Sequence, residues 1–488
     1  PAVECPALNQ ATGVPTASGW SHVVTQSFIY TNGKLTSETL SDEKAGELDR
    51  VTSYTYYGTG ETEGLEHQLK TIDGPRASPI NDITTFRYET NAASTTHQLG
   101  DLKEIERTLD GGANHITKIN EYDSAGRPKV VQDLNGLLTT YTHHPRGPIK
   151  SIAVDDGTTP ISATEFKYTE IGLLERLTYP NQAWIEFEYD DAYRFEAVRD
   201  NVGNRLEYVL DGMGNPTVEK ACINNDCGVT SNVKRQVERI YDSLNNLERF
   251  VEAVTSSSEN VTGFTYDDND NLKNIIDPRE PGISRTSPLG TPSKFSSISY
   301  DALNQIIETK DNEDGIAKFS NDILGAYEEV QDPKGVASAS PTNGLTTYTY
   351  NGFGEVKTID SPDAGQRSFL YDRAGNLTKT TVTGLTGSGY SEVIDYTYDS
   401  LNRLTAITYD TNSSANDVTY EYDINAFPGC PVSVGRLTKA TSEAGDTNYC
   451  HDKRGNIKWR SDAAFAGFSE RKFEYTYNPN DQVATISS

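Results

Sequence analysis

Methionine is nearly absent: Met213 is the only one in 488 residues, and tryptophan occurs three times. No run of about 18 apolar residues exists, so no transmembrane helix is expected. No signal peptide opens the chain. It begins at Pro1 with its sole methionine far inside, so it reads as a processed or excised piece of a longer product. Long Ala/Leu/Glu/Lys segments at helical spacing are missing. Basic residues are outnumbered, 43 against 71 acidic, for a net charge of −28. That excludes a general nucleic-acid binder, which needs an excess of Lys and Arg, and argues against docking on anionic lipid. The acidity itself serves solubility.

Tyrosine is abundant instead, 28 against 15 Phe. Plentiful Thr, Asn, Asp and Gly join it, a mixture that favours strands and turns. "YDSLNRL" at 398–404 returns as "YDSLNNL" at 241–247. With Tyr398 as position zero, the same frame fits Tyr122, His143, Tyr168, Tyr189, Leu210, Tyr241, Tyr266, Tyr300, Asn321, Tyr350, Tyr371, His451 and Tyr477. That makes fourteen units, with Tyr at zero in ten and Asp at plus one in ten.

Position plus four is Gly126, Gly147, Gly172, Gly214, Gly325, Gly354, Gly375 or Gly455; Asn245, Asn304 or Asn402; or Asp270 or Asp481. Only Tyr193 departs. Gly, Asn and Asp tolerate a left-handed backbone, and an Asp three residues earlier can fold its carboxylate onto nearby amides. Position plus six is apolar or proline throughout. The unit reads as strand, tight turn, strand: a β-hairpin repeated along the chain. On this reading Gly375→Val disrupts the array and Ser400→Ala is the mild reference.

"YTY" at 396–398 and 348–350 and "FEY" at 187–189 alternate as strands do. The second strand is less regular: Leu404 and Ile407, or Leu272 and Ile275, are three apart. Either both faces are partly covered or a bulge resets the register. Five anchor intervals are 21 residues, such as 168 to 189, and others are longer. A fixed hairpin with variable outer connections is implied. Residues 20–118 carry a looser version of the pattern, 119–488 the clear array continuous with it, and 1–19 an irregular arm.

Chemistry is sparse. Cys222 and Cys227 enclose a polar loop, and Cys430 and Cys450 flank another excursion; both pairs are candidate disulfides, and free buried thiols are the other reading. Cys5 is left over. His143–His144 falls where Tyr-Asp belongs and reads as a degenerate hairpin, not a metal pair. "DDNDN" at 267–271 lacks the Gly and distal Glu of an EF-hand. No HExxH, GxSxG or P-loop occurs. No catalytic residue, metal or cofactor is expected.

The Tyr-Asp-x-x-Gly-Arg/Asn-Leu unit, as in "YDRAGNL" (371–377) and "YDSAGRP" (122–128), resembles the YD repeat of the RHS family: RHS toxins, Tc toxin cocoon subunits, wall-associated YD proteins and teneurins. The resemblance implies an all-β fold, a long antiparallel ribbon of hairpins coiled into a hollow β-shell or spiral. It implies a non-catalytic shell segment, secreted or at the cell surface and of bacterial origin, encapsulating or carrying a polypeptide cargo or a C-terminal partner domain. The DPxG-rich closing core and toxin of such shells are not in this sequence. An extracellular adhesion, glycan-binding or filament-forming subunit that self-associates through ribbon edges is the other reading.

Overall fold

The computed structural model describes residues 24–42, 47–61, 64–76, 82–91, 94–109, 114–156, 162–255, 258–287, 289, 292–322, 324–336, 344–384, 389, 391–410, 416–424, 427, 429–430, 433–463 and 470–488. The expected arm at 1–19, with Cys5, and also Trp20 lie outside them.

The described residues are almost entirely antiparallel β: 36 strands, with one short 3₁₀ turn and the four-residue helix Pro333–Val336. The chain divides into two compact units. The first comprises Pro1–Ala163, Tyr348–Asp360 and Ala364–Ser488, and the second Thr164–Thr347 with Ser361–Asp363. In the second, each strand from Ser162–Tyr168 to Leu345–Tyr350 pairs with the next in sequence. In the first, the same holds from Val24–Thr31 to Ile149–Asp155 and from Gly365–Tyr371 to Val483–Ser487.

A bulge accounts for the irregular second strand. Tyr398 faces Leu404, but Thr397 faces Ala406, so Thr405 has no opposite number. The extra residue flips the alternation. Leu404 and Ile407, three apart, thereby share a face with Tyr398 and Tyr396. Leu272 and Ile275 meet Tyr266 and Phe264 in the same way, and Val483 and Ile486 meet Tyr477 and Tyr475. The break recurs at Tyr56, Tyr88, Tyr168, Tyr189, Tyr241, Tyr300 and Tyr371.

Few side chains are fully buried, as a single-layer ribbon dictates. In the second unit Val237, Val251, Val261 and Ile276 lie on four consecutive strands and are at most 2% exposed. The connection after Leu272–Ile276 folds back over this patch. Arg249 donates to Ser287 O at 2.6 Å, and Arg285 binds Glu238 and Glu259 at 2.6 and 2.9 Å. Gly263 leaves room there: a Cβ would stand 3.0 Å from Leu289.

Candidate functional site

All fourteen turns close identically. The amide at plus one donates to the carbonyl at plus five, at 2.8–3.0 Å, and the amide at plus four donates to the carbonyl at plus one, at 2.9–3.2 Å. Residue plus four has a positive φ in every unit, from 59° at Asp481 to 114° at Gly147. Tyr193, the one departure from the sequence pattern, takes φ 63° all the same. The turn's two backbone bonds hold it in a conformation its side chain disfavours.

The plus-one carboxylate organises the turn. Asp399 Oδ1 accepts the amides of Leu401 and Arg403 at 2.9 and 3.0 Å. Its Oδ2 takes Arg403 Nε at 2.6 Å. Asp123 has the same bonds from Ala125, Arg127 and Arg127 Nε. The Arg127 side chain and then its amide hold the Asp123 carboxyl down to about 2. In "DDNDN", Asp267 is spent on the amides of Asn269 and Asn271, and Asp270 supplies the positive φ.

This is a YD hairpin. Its tyrosine has a second function that composition did not reveal. The ladder to the next hairpin begins only at plus eight, as at Ala406–Thr419 and Asn274–Ser297. The plus-six carbonyl lies beyond the end of that ladder, and the tyrosine of the following YD hairpin donates its hydroxyl there. Tyr300 bonds Leu272 O, Tyr371 bonds Val356 O, Tyr422 bonds Leu404 O and Tyr477 bonds Ile457 O, each at 2.9 Å. Asn321, standing where Tyr belongs, donates its amide to Ile306 O at 2.7 Å. The hydroxyl thereby completes a backbone bond between hairpins. Tyr300→Phe is expected to cost about 1 kcal/mol through the unmet carbonyl, read as a lower melting temperature. An unchanged melting temperature would refute the role.

Position plus five adds a third link, to the turn of the next hairpin. Asn376 reaches Asn402 Oδ1 at 2.8 Å, Asn271 reaches Asn304 Oδ1 at 2.9 Å and Arg194 reaches Asp211 O at 2.8 Å. Equivalent turns close the opposite edge at Asp133–Gly136, Asp200–Gly203 and Asp311–Asp314. Two five-residue turns per cycle explain 21-residue intervals such as 122 to 143 and 189 to 210.

Within the first unit the YD turns of residues 350–456 meet the opposite edge of residues 42–156, in the same order along the chain. Gly352 N donates to Asp42 at 2.8 Å. Arg50 grips Glu355 at 2.7 and 2.8 Å and lies 3.9 Å above the Phe353 ring. Arg76, with 7% of its side chain exposed, enters the 398–402 turn, donating to Asp399 O and, at 3.3 Å, to Asn402 Oδ1. Further along, Asn135 and Val434 exchange two bonds at 3.0 Å, and Arg454 binds Asp156 at 2.6 Å. His115 lies 3.1 Å from Asp423, which also takes Arg403 at 2.7 Å. Burial pushes the Asp423 carboxyl up, but His115, Arg403 and the Gly435 amide prevail and hold it low.

Ser400 belongs to this seam. It is 2% exposed and donates to Thr108 O at 3.2 Å. Ser400→Ala therefore removes a seam bond, while leaving the left-handed turn intact. A cavity of about 500 Å³ also lies along the seam, lined by Glu47, Arg50, Arg76, Phe353, Tyr371 and Asp372 among others. No histidine, cysteine or serine among the described residues lines it. Among the described residues no three His, Cys, Asp or Glu side chains converge as metal ligands would. His143 and His144 sit in a strand end and turn, with His143 opposite Ile149.

Cys222 and Cys227 are bonded, as are Cys430 and Cys450, each pair with Cα atoms 5.4 Å apart. Trp184 packs under Arg176 and Trp459 against Phe427, at 4.4 and 5.3 Å.

The chain is similar in fold to several solved structures. Over 93% of its length it resembles a chain of the TcdB2-TccC3 crystal structure, at 14% identity and TM-score 0.47, and one of TcdB2-TccC3-Cdc42, at 14% and 0.45. Over 94% it resembles one of the Photorhabdus luminescens Tc holotoxin pore, at 11% and 0.44. It spans about a quarter of those chains, 24%, 24% and 27% respectively. No protein-family model and no curated protein matches the sequence.

Proposed function

We propose that the chain is a structural wall segment of an RHS/YD-repeat shell that encloses or carries a polypeptide. The seam carries this reading. A ribbon whose later hairpins key into its own earlier ones, in the same order and some 300 residues on, is building successive courses of a wall. Single-layer construction suits a wall with two solvated faces. The turn carboxylates are engaged in holding backbone, which leaves them little scope as acids or bases.

Electron cryo-microscopy of the purified chain, without imposed symmetry, tests the reading. Curved walls around a lumen are expected. Flat sheets or straight rods without a lumen would overturn it.

A further inference from the structure

The seam shows what covers a row of YD turns. In residues 350–456 the turn tips are shielded: at plus two Gly352 is buried and Ser400 is 2% exposed, and at plus three Phe353, Ala374, Leu401 and Arg454 are all part-covered. The cover is the opposite edge of an earlier run of hairpins.

In the second unit the same positions are bare. Ile171, Met213, Leu244, Leu303 and Leu324 stand at plus three of their turns, and Tyr193 at plus four. They are 52–78% exposed. These are six of that unit's seven YD turns, the seventh carrying Asn269. Scattered exposed apolar residues are ordinary. An apolar residue at the tip of one turn after another, along one edge, is a patch with a period. The hydrogen bonds of these turns use backbone and the plus-one carboxylate and do not need an apolar tip. The opposite edge of the same unit is open too, with Val202 75% and Val229 47% exposed.

We infer that the YD-turn row of residues 168–325 is an association edge, and that its occupant is the opposite edge of another run of YD hairpins, supplied in solution by a second copy of this chain. The first unit shows those two kinds of edge fitting together, with a guanidinium over an aromatic tip at Arg50–Phe353. Such a contact is heterologous, joining unlike edges, so copies add in one direction. Two copies of net charge −28 repel, so screening salt strengthens the association.

The test is analytical ultracentrifugation of the whole chain over a range of concentration, at low and high salt. A triple variant, Met213→Glu, Leu244→Glu, Leu303→Glu, is run beside it, with circular dichroism to verify folding. The native chain is expected to associate with concentration, and more strongly in salt. The variant should associate at least about tenfold more weakly. A photo-crosslinker at position 244 should capture residues of the 200–203 turn, or near 229, in another copy. A native chain that stays monomeric throughout, or a variant that associates equally well, overturns the inference. Monomers with a lumen would sink it and leave the shell reading standing; edge-bonded stacks without a lumen would do the reverse.

Discussion

Gly375→Val is expected to lower the melting temperature well beyond Gly126→Val, although both residues occupy plus four. Their φ values are similar, 84° and 75°. Either substitution forces an L side chain into the left-handed region, at about 1–2 kcal/mol and somewhat more when β-branched. Only the surroundings differ. A Cβ at Gly126 would meet nothing within 4 Å. At Gly375 it would stand 3.1 Å from Glu355 Oε1 and 3.3 Å from Arg50 Nη1. Those groups form the ion pair that ties the two runs together, with side chains 17% and 18% exposed. Displacing a charge-assisted bond there adds on the order of 2 kcal/mol. The difference between the variants therefore measures the seam, with turn strain common to both. Equal melting temperatures would remove the seam from the stability of the fold.

Alkaline unfolding is the second large effect. Tyr122 is pushed up to about 12 by burial and the nearby charge of Asp101. Burial likewise raises Tyr88, Tyr189, Tyr266, Tyr300, Tyr371, Tyr398, Tyr422 and Tyr477. A folded pKa above the unfolded value of 10.0 means that the native state holds its protons longer. The stability from these groups is fully present below pH 10 and is lost as pH rises toward 12. Ionisation also removes the hydroxyl proton that the plus-six carbonyl receives. Because the same bond recurs along the ribbon, unfolding should be steep within that window. Circular dichroism and phenolate absorbance followed together check this. Phenolate appearing well before structure is lost would show that the hydroxyl bonds contribute little.

The strand–turn–strand unit and its left-handed residue were legible because they depend on neighbours within seven positions. Gly, Asn and Asp at plus four state the backbone requirement directly, and Asp at plus one states the carboxylate's bonds. Leu404 and Ile407 recorded the bulge as a spacing of three, but spacing alone left two explanations open. The tyrosine hydroxyl bond was hidden because its partner is a backbone carbonyl in another hairpin, and carbonyls leave no mark on residue identity. The signal was present in a weaker form: 28 Tyr beside 15 Phe asks what the hydroxyl does. The seam was illegible for a different reason. Arg50, Arg76 and Arg454 look like surface charges until chain some 300 residues away is placed against them. The burial of Ser400 was illegible on the same ground, since its partner Thr108 lies far from it in sequence.

The tyrosine links between hairpins have a direction. The anchor hydroxyls that bond backbone reach back to a carbonyl already laid down, as Tyr300 to Leu272 or Tyr422 to Leu404. Each hairpin holds the groups that close its own turn, its tyrosine needs only the hairpin before it, and its plus-five side chain is met by the turn that follows. A chain emerging from the ribosome, amino end first, can thus complete its structure hairpin by hairpin, every unit templated by its predecessor. The contacts made this way are short in sequence and inexpensive in loop entropy. Only the seam must wait, because Glu355 can find Arg50 only after about 300 further residues have been synthesised. Growth along the ribbon and bonding between its courses are therefore separate events in time.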